Sequence, residues 1–200
     1  MDIGTQSIND FVASLASKQP TPGGGAVAGL LAALSTSLGQ MVLAYTEGKK
    51  KYAEHEELHK EIIGILLKAS TEALRLANAD ADAYEELNEL WKLNKHDPKR
   101  VEAWDDALTN AIQVPLQIMR LSERILVALQ TIKGKTNAML VSDLIIAGIL
   151  AESSARSARL NVAVNVNQME ESVAKNSLQA KAAALLASCI SICASIEDDC

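Results

Sequence analysis

Three groups of residues in this chain have types and spacings that suit chemistry. The first is Pro20-Thr21-Pro22-Gly23-Gly24-Gly25, three glycines ahead of a stretch without charge. Such a turn leaves the first backbone N–H groups of a helix open and places the positive end of its dipole there, so a phosphate, a carboxylate or a developing oxyanion would suit it. It would serve equally as a tight bend between two helices. No strand precedes it and no Gly-Lys-Ser/Thr follows, so it is neither a dinucleotide fingerprint nor a P-loop. The second group is His55-Glu56-Glu57-Leu58-His59, formally the H-E-x-x-H pattern of zinc peptidases. Zinc needs a third protein ligand, His96 is the only other histidine, and chance matches come easily in so Lys/Glu-rich a neighbourhood. The third group is acidic, Asp80 with Asp143. Asp80 falls on one stripe with Tyr52, His55, His59, Ile62, Leu66, Ala69, Ala73 and Leu76. It therefore faces partly inward, where burial raises a carboxyl pKa and fits it for general acid/base work. Asp82, Glu85, Glu86 and Glu89 read as a solvated face.

The elements that must position these groups are helical. Hydrophobic residues make up 48% of the 200-residue chain and aromatics 3%. Ala and Leu, both strong helix formers, supply more than half of the apolar residues, whereas strands favour β-branched and aromatic side chains. The expectation is an all-α fold, one domain over residues 1–200, built as a bundle of long antiparallel helices. A chain of this size buries roughly 70% of its unfolded surface and needs no metal or disulfide to fold. The net charge of −6 and the scarcity of rings argue against nucleic acid as a partner. Three cysteines are too few for a disulfide framework, and Cys189 and Cys193 sit one helical turn apart in an apolar segment. The first 20 residues carry Asp2 and Asp10 and no charged-then-apolar pattern, so a cytoplasmic location is expected. Residues 25–45 carry no charge and are long enough to span a membrane, but Ser35, Thr36, Ser37 and Gln40 lie in the middle, which predicts a buried central helix. Gly25, Gly29, Ala33 and Ser37 give it a smooth face for close helix packing or for a subunit interface.

Along the chain, Ser7-Ile8-Asn9-Asp10 predicts an N-cap and a short helix with Phe11, Leu15 and Val12 inward. One long helix, or two in line, is expected from about Glu54 to Leu93. Asp97 should cap the next, with Pro98 at its first position and a kink near Pro115. Lys133-Gly134-Lys135 predicts a C-terminal cap. Ser142-Asp143 would cap a helix from Leu144 to about Arg159, an alternating segment Asn161 to Asn167 would follow, and a last helix would run from about Glu170 to Glu197.

Taken together, Pro20 to Ala28, Gly48-Lys49-Lys50-Lys51-Tyr52, Asp80-Ala81-Asp82-Ala83-Tyr84, Val114-Pro115, Ser142-Asp143 and Leu160-Asn161-Val162 to Asn165 resemble, in order and spacing, the formiminotetrahydrofolate cyclodeaminase and methenyltetrahydrofolate cyclohydrolase family. The resemblance implies an all-helical homodimer with a folate site involving the subunit interface, and chemistry at the one-carbon bridge between N5 and N10 of tetrahydrofolate. It implies no metal or redox cofactor. It assigns general acid/base work to Asp80, with Asp143 as a second catalytic residue. Gly23, Gly24 and Gly25 would shape the turn against the ligand, Ser142, Asn161 and Asn165 would bind the substrate, and Lys49 and Lys50 would meet the folate glutamate carboxylates. Lys51 and Tyr52 match as well and suit structural roles. Thr136, Asn78 and Asn94 depart from the family's usual Gly, acid and Pro. Two other classes stand beside this reading: a helical dimer that binds folate or another anion without turnover, and, remotely, a zinc peptidase.

Overall fold

The computed structural model describes residues 2–198. Within them lie six α-helices, α1 (Ile8–Leu15), α2 (Gly24–Ala44), α3 (Glu56–Trp91), α4 (Pro98–Thr131), α5 (Val141–Val166) and α6 (Val173–Glu197). Short 3-10 turns occupy Ile3–Thr5, Lys50–His55 and Ala138–Leu140, and no strand occurs among the described residues. α2 and α4 each pack against both α3 and α5, which closes a four-helix ring, and α6 lies along α4 and α5. The core between the ring helices is aliphatic: Leu66, Leu76, Leu116, Ile118, Met119, Ile125, Leu126 and Leu129 are fully buried.

Short connections force neighbouring helices to run antiparallel. As a result, the start of α2, the later part of α3 and the end of α5 meet at one end of the bundle. The end of α2, the start of α3, the end of α4 and the start of α5 meet at the other.

Local chemistry sets the boundaries. Ser7 accepts from the Asp10 N–H, Asp97 from the Lys99 N–H ahead of Pro98, and Ser172 from the Lys175 N–H. Gly48 and Gly134 take φ values of +72° and +71° at the turns after α2 and α4, where a side chain would be strained. Gly29 lets α2 and α3 touch backbone to backbone: a methyl group there would lie 2.7 Å from the Ala77 Cβ and 2.9 Å from the Ala73 carbonyl oxygen.

Several expectations are corrected. α5 starts at Val141 without a side-chain cap from Ser142 or Asp143; instead Asn137 caps the preceding 3-10 turn by accepting from the Met139 N–H. Nor does α5 stop at Arg159. The Asn161 to Asn167 segment continues it because Val162 and Val166 are buried one turn apart, and that packing outweighs the weak helix propensity of Asn and Val. In α1, Phe11 points inward while Val12 and Leu15 are exposed. Pro115 lies inside the continuous helical span of α4, as the sequence predicts. By length and composition three helical stretches, rather than one, are apolar enough to cross a membrane: α2, residues Ala138–Val166 and α6. α2 is buried on one side only, with Leu34 49% exposed on the other.

Candidate functional site

Asp80 comes from the inward stripe of α3 and lies against the first turn of α2. A methyl group on Gly25 would sit 2.1 Å from the Asp80 carboxyl carbon and from both its oxygens, so only glycine at this position lets the carboxyl rest there. The neighbouring Gly24 faces the Asn161 side chain, whose Oδ1 would lie 3.6 Å from a methyl group on it. Gly23 is the N-cap of α2 and provides no side-chain cap; nothing crowds its Cα. The third wall is α5, where Asn161 and Asn165 project on the same side one turn apart. Asp80, Ala83, Tyr84, Ala111, Asn161, Val164 and Asn165 enclose a notch of about 90 Å³.

The electrostatics single out Asp80. Burial pushes its carboxyl up to about 6, because desolvation penalises the charged form. No hydrogen bond or ion pair to the described residues compensates that charge. A carboxyl with such a pKa exists in both protonation states near neutral pH, which is what proton transfer in either direction requires. Asn165 is tied down at one end: its Nδ2 donates to the Ala111 carbonyl at 2.6 Å.

Six of the sequence-predicted residues, Gly23, Gly24, Gly25, Asp80, Asn161 and Asn165, are therefore gathered at one end. Lys49, Lys50, Ser142 and Asp143 are not with them. Asp143 and Asn161 lie on the same helix 18 residues apart, about 27 Å along its axis. At that far end the chain is organised by capping. Thr46 Oγ1 accepts from the Asn137 N–H at 2.9 Å, and Tyr52 Oη accepts from the Ala138 N–H at 3.1 Å. These bonds fix the turn that delivers Ser142, exposed, and Asp143, half-buried, to the start of α5. Lys49 and Lys50 are exposed. Tyr52 has the structural role its position suggested.

His59 is buried and its Nε2 lies 2.9 Å from the Lys135 carbonyl oxygen. A carbonyl only accepts, so this nitrogen carries a proton, and among the described residues no group of three or more His, Cys, Asp or Glu is placed to hold a metal ion around the His55–His59 pair. The three departures also find reasons. Asn78 Oδ1 accepts from the Ile3 N–H and its Nδ2 donates to Asp2, an arrangement that an acid at 78 would turn into repulsion. Asn94 Oδ1 accepts from the His96 N–H and so caps the turn before α4. Thr136 is buried with ordinary backbone angles, because Gly134 supplies the positive φ of this loop.

Ala83 and Tyr84 stand in the motif that carries Asp80, whereas Ala111 and Val164, which complete the apolar part of the notch, were missed by sequence reasoning. Tyr84 sits at the rim of the notch, edge-to-face with Trp91, which in turn packs edge-to-face on Trp104. The i, i+4 spacing of Asp80 and Tyr84 was the available signal for its place there. Two larger grooves of about 650 Å³, one apolar between α3 and α4 and one at the α4 and α5–α6 corner, contain none of the predicted site residues.

Comparison with known proteins identifies the family. The family model described as Formiminotransferase-cyclodeaminase matches residues 7–184. The chain is 31% identical over 177 residues to the methenyltetrahydrofolate cyclohydrolase of Methylorubrum extorquens, covering 84% of this chain and 83% of that one. It is 30% identical over 184 residues to the formimidoyltransferase-cyclodeaminase of Mus musculus, covering 90% of this chain. It spans about a third of the length of that mouse protein, 34%. Among solved structures, the formiminotetrahydrofolate cyclodeaminase of Thermotoga maritima superposes with a TM-score of 0.87 at 24% identity, covering 98% of this chain and 96% of that one. This last likeness speaks for the fold.

Proposed function

The chain belongs to the Formiminotransferase-cyclodeaminase family, and from that premise we propose that it is a folate one-carbon enzyme acting at the N5–N10 bridge of tetrahydrofolate, as a formiminotetrahydrofolate cyclodeaminase or a methenyltetrahydrofolate cyclohydrolase. The observation that carries the proposal is Asp80: a carboxyl seated on Gly25 at the open start of a helix, unpaired among the described residues and with its pKa raised by burial to about 6.

Either reaction passes through a tetrahedral carbon flanked by N5 and N10. In cyclodeamination N10 adds to the formimino carbon, losing its proton, and the amino group must gain protons to leave as ammonia. In cyclohydrolysis water adds to the methenyl carbon and one ring nitrogen is protonated as the ring opens. Asp80 as carboxylate takes the proton from the attacking nitrogen or water, and as carboxylic acid returns it to the departing nitrogen. Asn161 and Asn165 hold the ligand's polar groups beside it, with Gly23 and Gly24 allowing close approach. Tyr84 gives a ring edge at the rim.

We infer further that the active form is a homodimer whose site needs both copies. The 90 Å³ notch is far smaller than the roughly 300–1,000 Å³ of a small-molecule site. The outer faces of α2 and α5 carry exposed Leu34, Ile146, Ile149, Leu160 and Val164, an apolar strip of the kind that marks an interface. A two-fold axis running perpendicular to α2 and α5 at their midpoints sets the Asp80 end of one copy against the Lys49, Lys50, Ser142 and Asp143 end of its partner. The glutamate carboxylates of folate then meet Lys49 and Lys50.

The test is a side-by-side assay with 5-formimino- and 5,10-methenyltetrahydrofolate, following methenyl absorbance and ammonia release together. The wild-type protein should turn over at least one, and Asp80→Asn should lower kcat about 10²–10⁴-fold with its helical content unchanged. Full activity in Asp80→Asn removes Asp80 from the mechanism. Ligand-induced stabilisation without turnover of either folate would instead make the protein a binder.

A further inference from the structure

α4 runs unbroken through Pro115, yet proline has no N–H to give to the carbonyl four residues earlier. That carbonyl belongs to Ala111, which lines the notch beside Asp80. The carbonyl of a buried residue left in this way needs another donor, and it has one: Asn165 Nδ2, reaching across from α5 at 2.6 Å. Because a carbonyl can only accept, the amide cannot be turned the other way. Its nitrogen is committed to α4, and its Oδ1, which no donor among the described residues engages, is the end left for a ligand.

We propose that Pro115 is a positioning residue for the folate site: by withholding one helical N–H it locks the Asn165 side chain with its oxygen as the ligand-facing group, so that Asn165 receives a hydrogen bond from an N–H of the substrate beside Asp80. This inference rests on reading the notch as the folate site. It also sets a polarity for that site. Asn165 Oδ1 and the Asp80 carboxylate are both acceptors, so the part of the ligand between them bears N–H groups. A carbonyl or carboxylate oxygen of the ligand is turned away from this wall.

A double-mutant cycle tests it. Pro115→Ala restores the backbone N–H, which then satisfies Ala111 and frees the Asn165 amide to turn; Pro115→Val does the same while keeping more of the ring's volume. Each should raise KM for the folate that the wild type turns over by about tenfold, the worth of one well-placed hydrogen bond, with kcat changed much less. Asn165→Ala should do likewise. Combined, Pro115→Ala with Asn165→Ala should be no worse than Asn165→Ala alone, since Pro115 acts through Asn165. Effects that multiply in the double variant would overturn the proposal, because a merely structural proline would still cost activity without Asn165. The side-chain amide protons of Asn165 in a ¹⁵N-resolved NMR spectrum supply a readout independent of turnover. They should be well separated and slow to exchange in the wild type and collapse toward free-amide behaviour in Pro115→Ala. Unchanged amide signals would overturn the latch. If the wild type neither binds nor turns over folate, the folate reading fails, and with it Asn165's proposed ligand, while the spectrum still decides whether Pro115 holds Asn165.

Discussion

The two ends of the bundle are built on opposite principles. At the far end the loops are tied by long-range hydrogen bonds, although α3 and α5 start there without side-chain caps: Thr46, Tyr52 and Asn137 accept from backbone N–H groups, and His59 donates to Lys135. The groups proposed to bind or react there stand on a well-bonded platform, Lys49, Lys50 and Ser142 exposed and Asp143 half-buried. At the Asp80 end, a carboxyl is half-buried against Gly25 without a partner among the described residues, the first turn of α2 lacks a side-chain cap, and one helical hydrogen bond in α4 is missing and replaced from α5. An uncompensated carboxyl such as Asp80 costs stability, which is the kind of cost found where a reaction uses the group. The difference suggests a division of labour, with chemistry at the strained end and charge recognition at the satisfied one.

Substitutions at the two ends should therefore fail in different ways. After the loss of kcat already expected of Asp80→Asn, the largest effect is expected at Gly25. Gly25→Ala drives a methyl group into the Asp80 carboxyl and should cost about 100-fold or more in kcat, since displacing a reacting group by an ångström is enough for that, measured by methenyl absorbance beside a circular dichroism control.

Next comes the stability of Asp80→Asn. The raised pKa means that the charged form is the costly one in the folded protein. The penalty is complete above about pH 6 and fades as the pH falls toward the ordinary carboxyl value, 3.8. Denaturant melts should find Asp80→Asn more stable than wild type by about 1–3 kcal/mol at pH 8, with the difference vanishing near pH 4. Equal stability at both pH values would mean that Asp80 is not strained.

At the satisfied end the order reverses. Tyr52→Phe orphans the Ala138 N–H and should lower stability by about 1–2 kcal/mol while leaving kcat within twofold. The smallest effect belongs to Lys49→Ala and Lys50→Ala, both exposed. Stability should stay within about 0.5 kcal/mol, while KM rises a few-fold at low salt and the effect shrinks as ionic strength screens it.

Much of this was legible in the sequence, and what escaped it did so for physical reasons. Composition and the three-and-four periodicity of Tyr52 to Asp80 sufficed for α3 and its inward acid, because one face of one helix determines both. The caps at Ser7, Asp97 and Gly134 are local and were equally readable. Asn161 to Asn167 was not, because polar and β-branched residues look like a loop until Val162 and Val166 find their core. The contact of Gly25 with Asp80 and the bond from Asn165 to Ala111 join residues 55 and 54 positions apart, and no periodicity reports such pairs. Ser142 and Asp143 could be chosen by resemblance, but their separation from Asp80 follows from helix direction, which only the assembled bundle reveals.

The central claim is that the two ends meet across a two-fold axis to make one site, and subunit complementation tests it directly. Asp80→Asn and Asp143→Asn proteins, each inactive when assayed separately, would be unfolded together, refolded as an equimolar mixture and assayed with the folate that the wild type turns over. Half of the dimers should then be mixed, each with one intact site of two, so the mixture should recover about a quarter of wild-type activity. A mixture that stays inactive, or an Asp143→Asn protein that is fully active by itself, would contradict a site shared between the strained end of one copy and the satisfied end of the other.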